Sequence, residues 1–403
     1  MTKEQAVLLR LVRAALTQTS VDLSDETAVD WNAVAEEARM QAVSSLAYEA
    51  LTTSSAPIDS DTLNNWAMQA YTFAATDSHI DFMQQELVKL LEQNGYPYVI
   101  LKGATAASYY PKPECRLQGD IDFLIDPAQV EAVTALLREN GYAVVDEASA
   151  NHLTFVKTKV LLEMHFREPA IPQGVIGDRI RRFLDGNVRQ PQVLDNGTHR
   201  FLAPTDSRHG LIAILHMQHH MLGEGIGLRH LCDWGCFVQK TATAPFWTEL
   251  LGVLRDIGLL TYAAHVTRLC AQYLGTPLPD WATVADPAVC DELLEDILTG
   301  GNFGKKDVRH VRSGMMITHT TSDSTSRSRV HYLYHTLMNT IRHTHPSVKR
   351  YPILYPVFAI KLGCQYVVRC LRGERLSIGK LASIAKQRRA IYHKLHIFEV
   401  ETL

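Results

Sequence analysis

No run of about 18 uncharged apolar residues occurs anywhere in the chain, so a membrane-spanning helix is not expected. The seven cysteines form no paired framework. Cys232 and Cys236 stand four apart on one helix face, but no second pair lies at zinc-ribbon spacing, which sets aside both a disulfide scaffold and a structural zinc module. Buried reduced thiols in a cytoplasmic protein are the expectation. The opening MTKEQAVLLRLVRAAL holds Glu4 and Arg10 within its apolar segment and has no cleavage-like site. It therefore reads as an amphipathic helix, with Ala6, Leu9, Val12 and Leu16 at helical spacing, and not as a signal peptide. A His-Glu-x-x-His motif is also missing, because Met217 follows His216 where a glutamate would be needed.

What is present is an ordinary globular composition in 403 residues, long enough for two or three domains with ample core. The net charge of −3 hides an asymmetry. Residues 1–300 carry 22 Lys and Arg against 38 Asp and Glu, whereas residues 301–403 carry 18 against 5. A basic final quarter complements the acidic body, or attracts an anionic partner such as nucleic acid, a lipid surface or a phosphorylated substrate.

The informative stretch runs from Tyr96 to Asp126, YPYVILKGATAASYYPKPECRLQGDIDFLID. Two short apolar runs, Tyr98 to Leu101 and Ile121 to Ile125, flank a Lys102-Gly103 turn and a loop containing Arg116. In a strand, Asp120 and Asp122 project from one face while Ile121 and Phe123 point to the other. Adjacent carboxylates repel, and their common use is to share a divalent cation. Further on, VLLEMHF over Val160 to Phe166 reads as a strand with Glu163 and His165 on one face.

This ordered set of apolar strand, Lys-Gly, helix, Arg and Gly-Asp-Ile-Asp resembles uncharacterised bacterial nucleotidyltransferases of the polymerase-beta-like superfamily, most strongly from Glu86 to Arg167. The superfamily more often has Gly-Gly or Gly-Ser where this chain has Lys102-Gly103. The resemblance implies an α+β fold with a small mixed β-sheet core over residues 95–200, an N-terminal helical region over 1–94 and a C-terminal helical domain over 201–403. It implies metal-dependent transfer of a nucleoside monophosphate from a nucleoside triphosphate, ATP foremost, to an unidentified acceptor, with release of pyrophosphate. Asp120, Asp122 and Glu163 are the implied catalytic and metal ligands, holding two Mg2+ ions or alternatively Mn2+. Lys102, Gly103, Arg116 and Gln118 are candidates for the triphosphate, and His165 for steering the acceptor or the base.

Around this core the sequence reads as helices. Trp31 to Thr52 and Asp61 to Gln93 are two of them, the second stopped by Asn94-Gly95. Asp126 and Pro127 start another that ends at Asn140-Gly141, with Gln129 placed for a capping box. Strands are expected at Tyr142 to Val145, Leu153 to Val156 and Val188 to Leu194, with a short helix between from Ile176 to Leu184. Thr205 is placed to cap SRHGLIAILHMQHHML, whose His216 and His220 share a face as metal ligands or as hydrogen-bonded histidines. Arg229 and Asp233 are spaced for an exposed helix pair. The resembled branch also has a His-bearing helix followed by Leu-Arg and Asp, which makes His216, His220, Arg229 and Asp233 accessory candidates for the cleft.

Helices are further expected at Phe246 to Leu259, Tyr262 to Leu274, Cys290 to Leu298 and His331 to His343. Gly300 to Arg327 reads as a lid over the phosphates or as a plain connection. Residues 351–371 are apolar, interrupted by Lys361 and Arg369, and pack on the body or lie on a membrane surface. Two other function classes fit the motif: a non-catalytic nucleotide-binding regulatory module, and a glycosyltransferase that uses Asp-x-Asp to hold a metal-bound nucleotide sugar.

Overall fold

Strand alternation and helix stops build the part of the chain that carries the acids. The computed structural model describes residues 1–146, 149, 151–168, 170–172, 174–307, 309–311, 341, 352–371 and 378–397. Helix α1 (Lys3–Thr17) opens on a complete capping box between Thr2 and Gln5. The helix expected over 31–52 is two, α2 (Trp31–Met40) and α3 (Ser44–Leu51), because Ala42 adopts φ +57° between them. Gln41, fully buried at this corner, accepts a hydrogen bond from the Leu228 amide at 3.1 Å. Helix α4 (Ser60–Gln93) then delivers the chain to the sheet through Gly95 at φ +69°, the left-handed turn glycine allows.

Strand β1 (Tyr98–Ile100), a single-turn α5 (Ala104–Ala107) and β2 (Ile121–Ile125) follow. A 3₁₀ turn leads into α6 (Val130–Glu139), where Asp126 accepts from the Ala128 amide. Gln129 does not close the expected capping box, and its buried Oε1 finds no partner among the described residues. Strands β3 (Ala143–Asp146), β4 (His152–Lys157) and β5 (Val160–His165) complete a mixed five-stranded sheet of order β1-β2-β5-β4-β3. Only β2 and β5 run parallel, since α6, β3 and β4 intervene between them.

One face of this sheet is apolar. Ile121, Phe123, Leu162 and Met164 pack against Leu87 and Leu91 of α4 and Val133 and Leu137 of α6, all within a few per cent of full burial. Each such side chain contributes on the order of 2 kcal/mol to folding. The alternate residues turn the other way: Val99, Leu101 and Leu124 join a second, larger core, and Asp122, Glu163 and His165 fill the remaining positions of that face.

The larger core joins the two ends of the chain. Leu8, Leu11 and Val34 from the N-terminal helices share it with Trp234, Tyr262 and Leu293. Between them come α7 (Val175–Leu184) and a separate hairpin of β6 (Gln192–Asp195) and β7 (Arg200–Ala203), in place of the single strand expected near 188–194. Helices α8 (Asp206–Leu222), α9 (Leu228–Thr241), α10 (Trp247–Asp256), α11 (Leu260–Leu274), α12 (Pro287–Gly300), α13 (Tyr355–Leu371) and α14 (Ile378–Lys394) follow. Thr205 occupies the N-cap of α8 without a side-chain cap bond. The helix expected over 331–343 lies outside the described residues apart from Ile341. No helix among the described residues is long and apolar enough to cross a membrane. Among residues 353–365 no side chain is fully buried, and Leu354, Tyr355, Phe358, Ala359 and Leu362 are half-buried.

An ion pair between a buried arginine and a half-buried aspartate ties the sheet to the helices. Arg116, in the loop before β2, donates from Nε and Nη2 to the Asp233 carboxylate of α9 at 2.8 and 2.9 Å, and the Tyr110 hydroxyl donates to the same carboxylate at 2.6 Å. Burial opposes the charge on Asp233, but the Arg116 guanidinium outweighs it and holds the carboxyl below its ordinary range. Removing one partner strands the other: Arg116→Met is expected to lose about 3–5 kcal/mol in guanidinium denaturation, and Arg116→Met with Asp233→Leu to recover most of it. Equal stability of parent and Arg116→Met would show that the pair does not hold the joint.

Candidate functional site

Parallel pairing sets Asp122 directly opposite Glu163 on the sheet face turned away from the apolar core. His165 follows two residues along β5, on the same side. The imidazole Nε2 lies 2.9 Å from Asp122 Oδ1 and 3.4 Å from Glu163 Oε2. Ligand-type atoms of these three residues all fall within 4.8 Å of one another, and they form the grouping with metal-ligand proximity among the described residues.

Lys102 comes from the end of β1. The Leu101 amide extends the ladder by donating to the Asp122 carbonyl at 2.9 Å, which carries the Lys102 side chain to the same carboxylate, Nζ to Oδ1 2.9 Å. The turn depends on Gly103: φ is +59°, and an added Cβ would stand 2.9 Å from Gln118 Oε1. Thr105 locks it by donating its hydroxyl to the Ile100 carbonyl at 2.6 Å.

The electrostatics follow from this crowding. Asp120 is pushed up to about 6, first by the negative charge of Asp122 and then by burial, against the pull of Lys102. Asp122 goes the other way: burial opposes its charge, but Lys102 and the His165 hydrogen bond outweigh burial and hold it ionised. For Lys102 and His165 burial also works against the charged form, and the neighbouring carboxylates reverse it, so both pKa values are raised. Several acids that repel one another while one lysine and one histidine partly compensate them make a donor set of hard oxygens. That set fits a divalent cation such as magnesium or manganese.

Lys102, Asp122 and Glu163 open onto a cavity of about 480 Å³, which also takes in Gln118, Asp120, His216, His220 and Arg229. A second cavity of about 530 Å³ lies at the other end of β2 and β5, around Asp126, Arg167 and Arg189, away from these acids. Arg116 reaches the first cavity, yet its Nε and Nη2 are bound to Asp233, so the residue expected at the phosphates is a structural joint on those two nitrogens. Arg229 and Asp233 do not form the expected exposed pair. Asp233 faces Arg116, while Arg229 donates to the Leu117 carbonyl at 3.3 Å and lies over the Phe303 ring at 5.5 Å. His216 and His220 hydrogen-bond each other through their Nε2 atoms at 3.0 Å. Burial above all keeps His216 neutral.

Several cavity residues were not singled out in the sequence reading, among them Asp77, Asn302 and Phe303. Asp77 on α4 accepts from the Gln118 amide at 2.7 Å and so fixes the loop that presents Asp120; burial, foremost, raises it to about 6. Asn302 and Phe303 enter from the turn after α12. The spacing Gly301-Asn302-Phe303-Gly304 was the available signal for a tight turn.

A family model described as "Uncharacterised nucleotidyltransferase" matches residues 27–275. No curated protein matches the chain. Among solved structures, the crystal structure of an antigenic nucleotidyltransferase-like protein from Paracoccidioides brasiliensis aligns at 12% identity over 52% of this chain and 95% of that one, with a TM-score of 0.30. A likeness that slight carries no argument. The family match spans more than half of the sequence, and on that ground the chain belongs to the family of uncharacterised nucleotidyltransferases.

Proposed function

We propose that the chain transfers a nucleoside monophosphate from a nucleoside triphosphate, ATP foremost, to an acceptor group, releasing pyrophosphate. The observation that carries this reading is the register of Asp122 against Glu163, with Asp120 and Lys102 lining the same cavity. The cavity, at about 480 Å³, falls in the roughly 300–1,000 Å³ range of small-molecule sites.

Asp120, Asp122 and Glu163 would hold divalent cations, two magnesium ions or manganese, which when bound supply charge that neutralises phosphoryl oxygens and favours the attacking oxyanion. The protein's own groups do the rest. The acceptor oxygen attacks the α-phosphorus, the bond from that phosphorus to the bridging oxygen breaks, and pyrophosphate leaves with that electron pair. Glu163, whose side chain is 30% exposed, takes the acceptor's proton on its carboxylate. Lys102 supplies positive charge beside the phosphates, and Arg229 adds a second cation on the same cavity. His165 holds the Asp122 and Glu163 carboxylates in one orientation through its two contacts.

The test is release of pyrophosphate from nucleoside triphosphates in magnesium, offered with a panel of hydroxyl acceptors. Asp122→Asn and Glu163→Gln are each expected to reduce it at least about a hundredfold. Nucleotide binding by the parent without any turnover would mark a regulatory module, and turnover of nucleotide sugars alone a glycosyltransferase.

A pH dependence follows from Asp120. With a folded pKa of about 6, its carboxyl is ionised above that pH and protonated below it, and a cation binds the ionised form. Mn2+ affinity measured by titration should therefore drop about tenfold from pH 7.5 to pH 5. An affinity flat across that range would remove Asp120 from the ligand set.

A further inference from the structure

The turn after α12 is built with unusual firmness for a connection. Gly301 and Gly304 both take positive φ, and between them Phe303 does too, at φ +56° and ψ +36°, a conformation that is strained for an aromatic residue. Lys306 braces the turn from below, with Nζ 2.6 Å from Glu37 and 2.8 Å from the Leu298 carbonyl. Edge contacts from His220 and His230, at 4.8 and 5.3 Å between ring centroids, fix the Phe303 ring, and Arg229 lies over it. The ring is half-buried and lines the cavity that holds the acids.

Asn302 supplies an independent sign of a ligand. It is 4% exposed, lines the same cavity, and its amide oxygen finds no hydrogen-bond partner among the described residues. A buried unpaired acceptor is costly, and a polar atom left so beside a cavity is one that an incoming group can satisfy. Gly227 leaves it room, since an added Cβ there would stand 2.7 Å from Asn302 Cβ.

We infer that Phe303 and Asn302 form the nucleobase subsite: the base stacks on the Phe303 ring, and the Asn302 amide hydrogen-bonds its edge. This rests on the nucleotidyl-transfer reading and adds to it where the base sits. A purine offers the larger stacking surface, and adenine presents an adjacent donor and acceptor that match the two ends of an amide. The strain at Phe303 is accounted for by this placement, because a relaxed backbone would carry the ring elsewhere.

The probes are ATP and inorganic tripolyphosphate, each with magnesium, titrated calorimetrically against the full chain. Phe303→Leu is expected to weaken ATP roughly tenfold and to leave tripolyphosphate unchanged. Phe303→Gly relieves the positive φ while removing the ring, so the same selective loss in that variant excludes misfolding as its cause. If ATP binds parent and both variants alike, or if ATP and tripolyphosphate weaken together, the subsite is overturned while the transfer reading stands. If neither probe binds the parent, both fall.

Discussion

An ionised carboxylate at 3% exposure persists only where positive charge stands beside it, and Asp122 is that carboxylate. Lys102 and His165 each reach it at 2.9 Å, from strands on its two sides. The arrangement explains why a lysine stands just past β1, why a glycine must follow it, and why a histidine lies on the polar face of β5. Asp120 and Glu163 add charge that this pair does not fully compensate, and the site is left disposed toward further cations. Chemistry and architecture therefore meet at one carboxylate, whose burial is made tolerable by the lysine and the histidine beside it.

The sheet and its acids were legible because their signals are local. Asp120 and Asp122 alternate with Ile121 and Phe123, Glu163 and His165 alternate with Leu162 and Met164, and period-two patterning needs no knowledge of the rest of the chain. The turn glycines at 95, 103 and 141 were readable for a similar reason, since each takes a positive φ. Helix boundaries were less so. Trp31 to Thr52 holds no Gly or Pro to mark a stop, and the break falls at Ala42, beside Gln41, which accepts from the Leu228 amide far along the chain.

Partnerships across the fold were the least legible. Arg229 and Asp233 have the spacing of a helix pair, yet Arg116, from a loop more than a hundred residues earlier, takes the carboxylate. Asp77, Asn302 and Phe303 share a cavity with the acids only because α4 and the turn after α12 converge on it. No period or motif marks such residues; only the turn glycines beside Phe303 gave notice of an unusual backbone.

The one parallel pairing in the sheet has a consequence for how this chain tolerates change in length. Between Asp122 and Glu163 run α6 and two further strands, and the alignment of the two acids depends on the β2–β5 ladder, not on the number of residues in that excursion. Additions at its loops would lengthen the path without moving either carboxylate. One extra residue inside β5 would instead exchange its two faces, sending Glu163 and His165 into the apolar layer and bringing Leu162 and Met164 out beside Asp122. Drift among related sequences should thus accumulate freely between the strands and be purged within them.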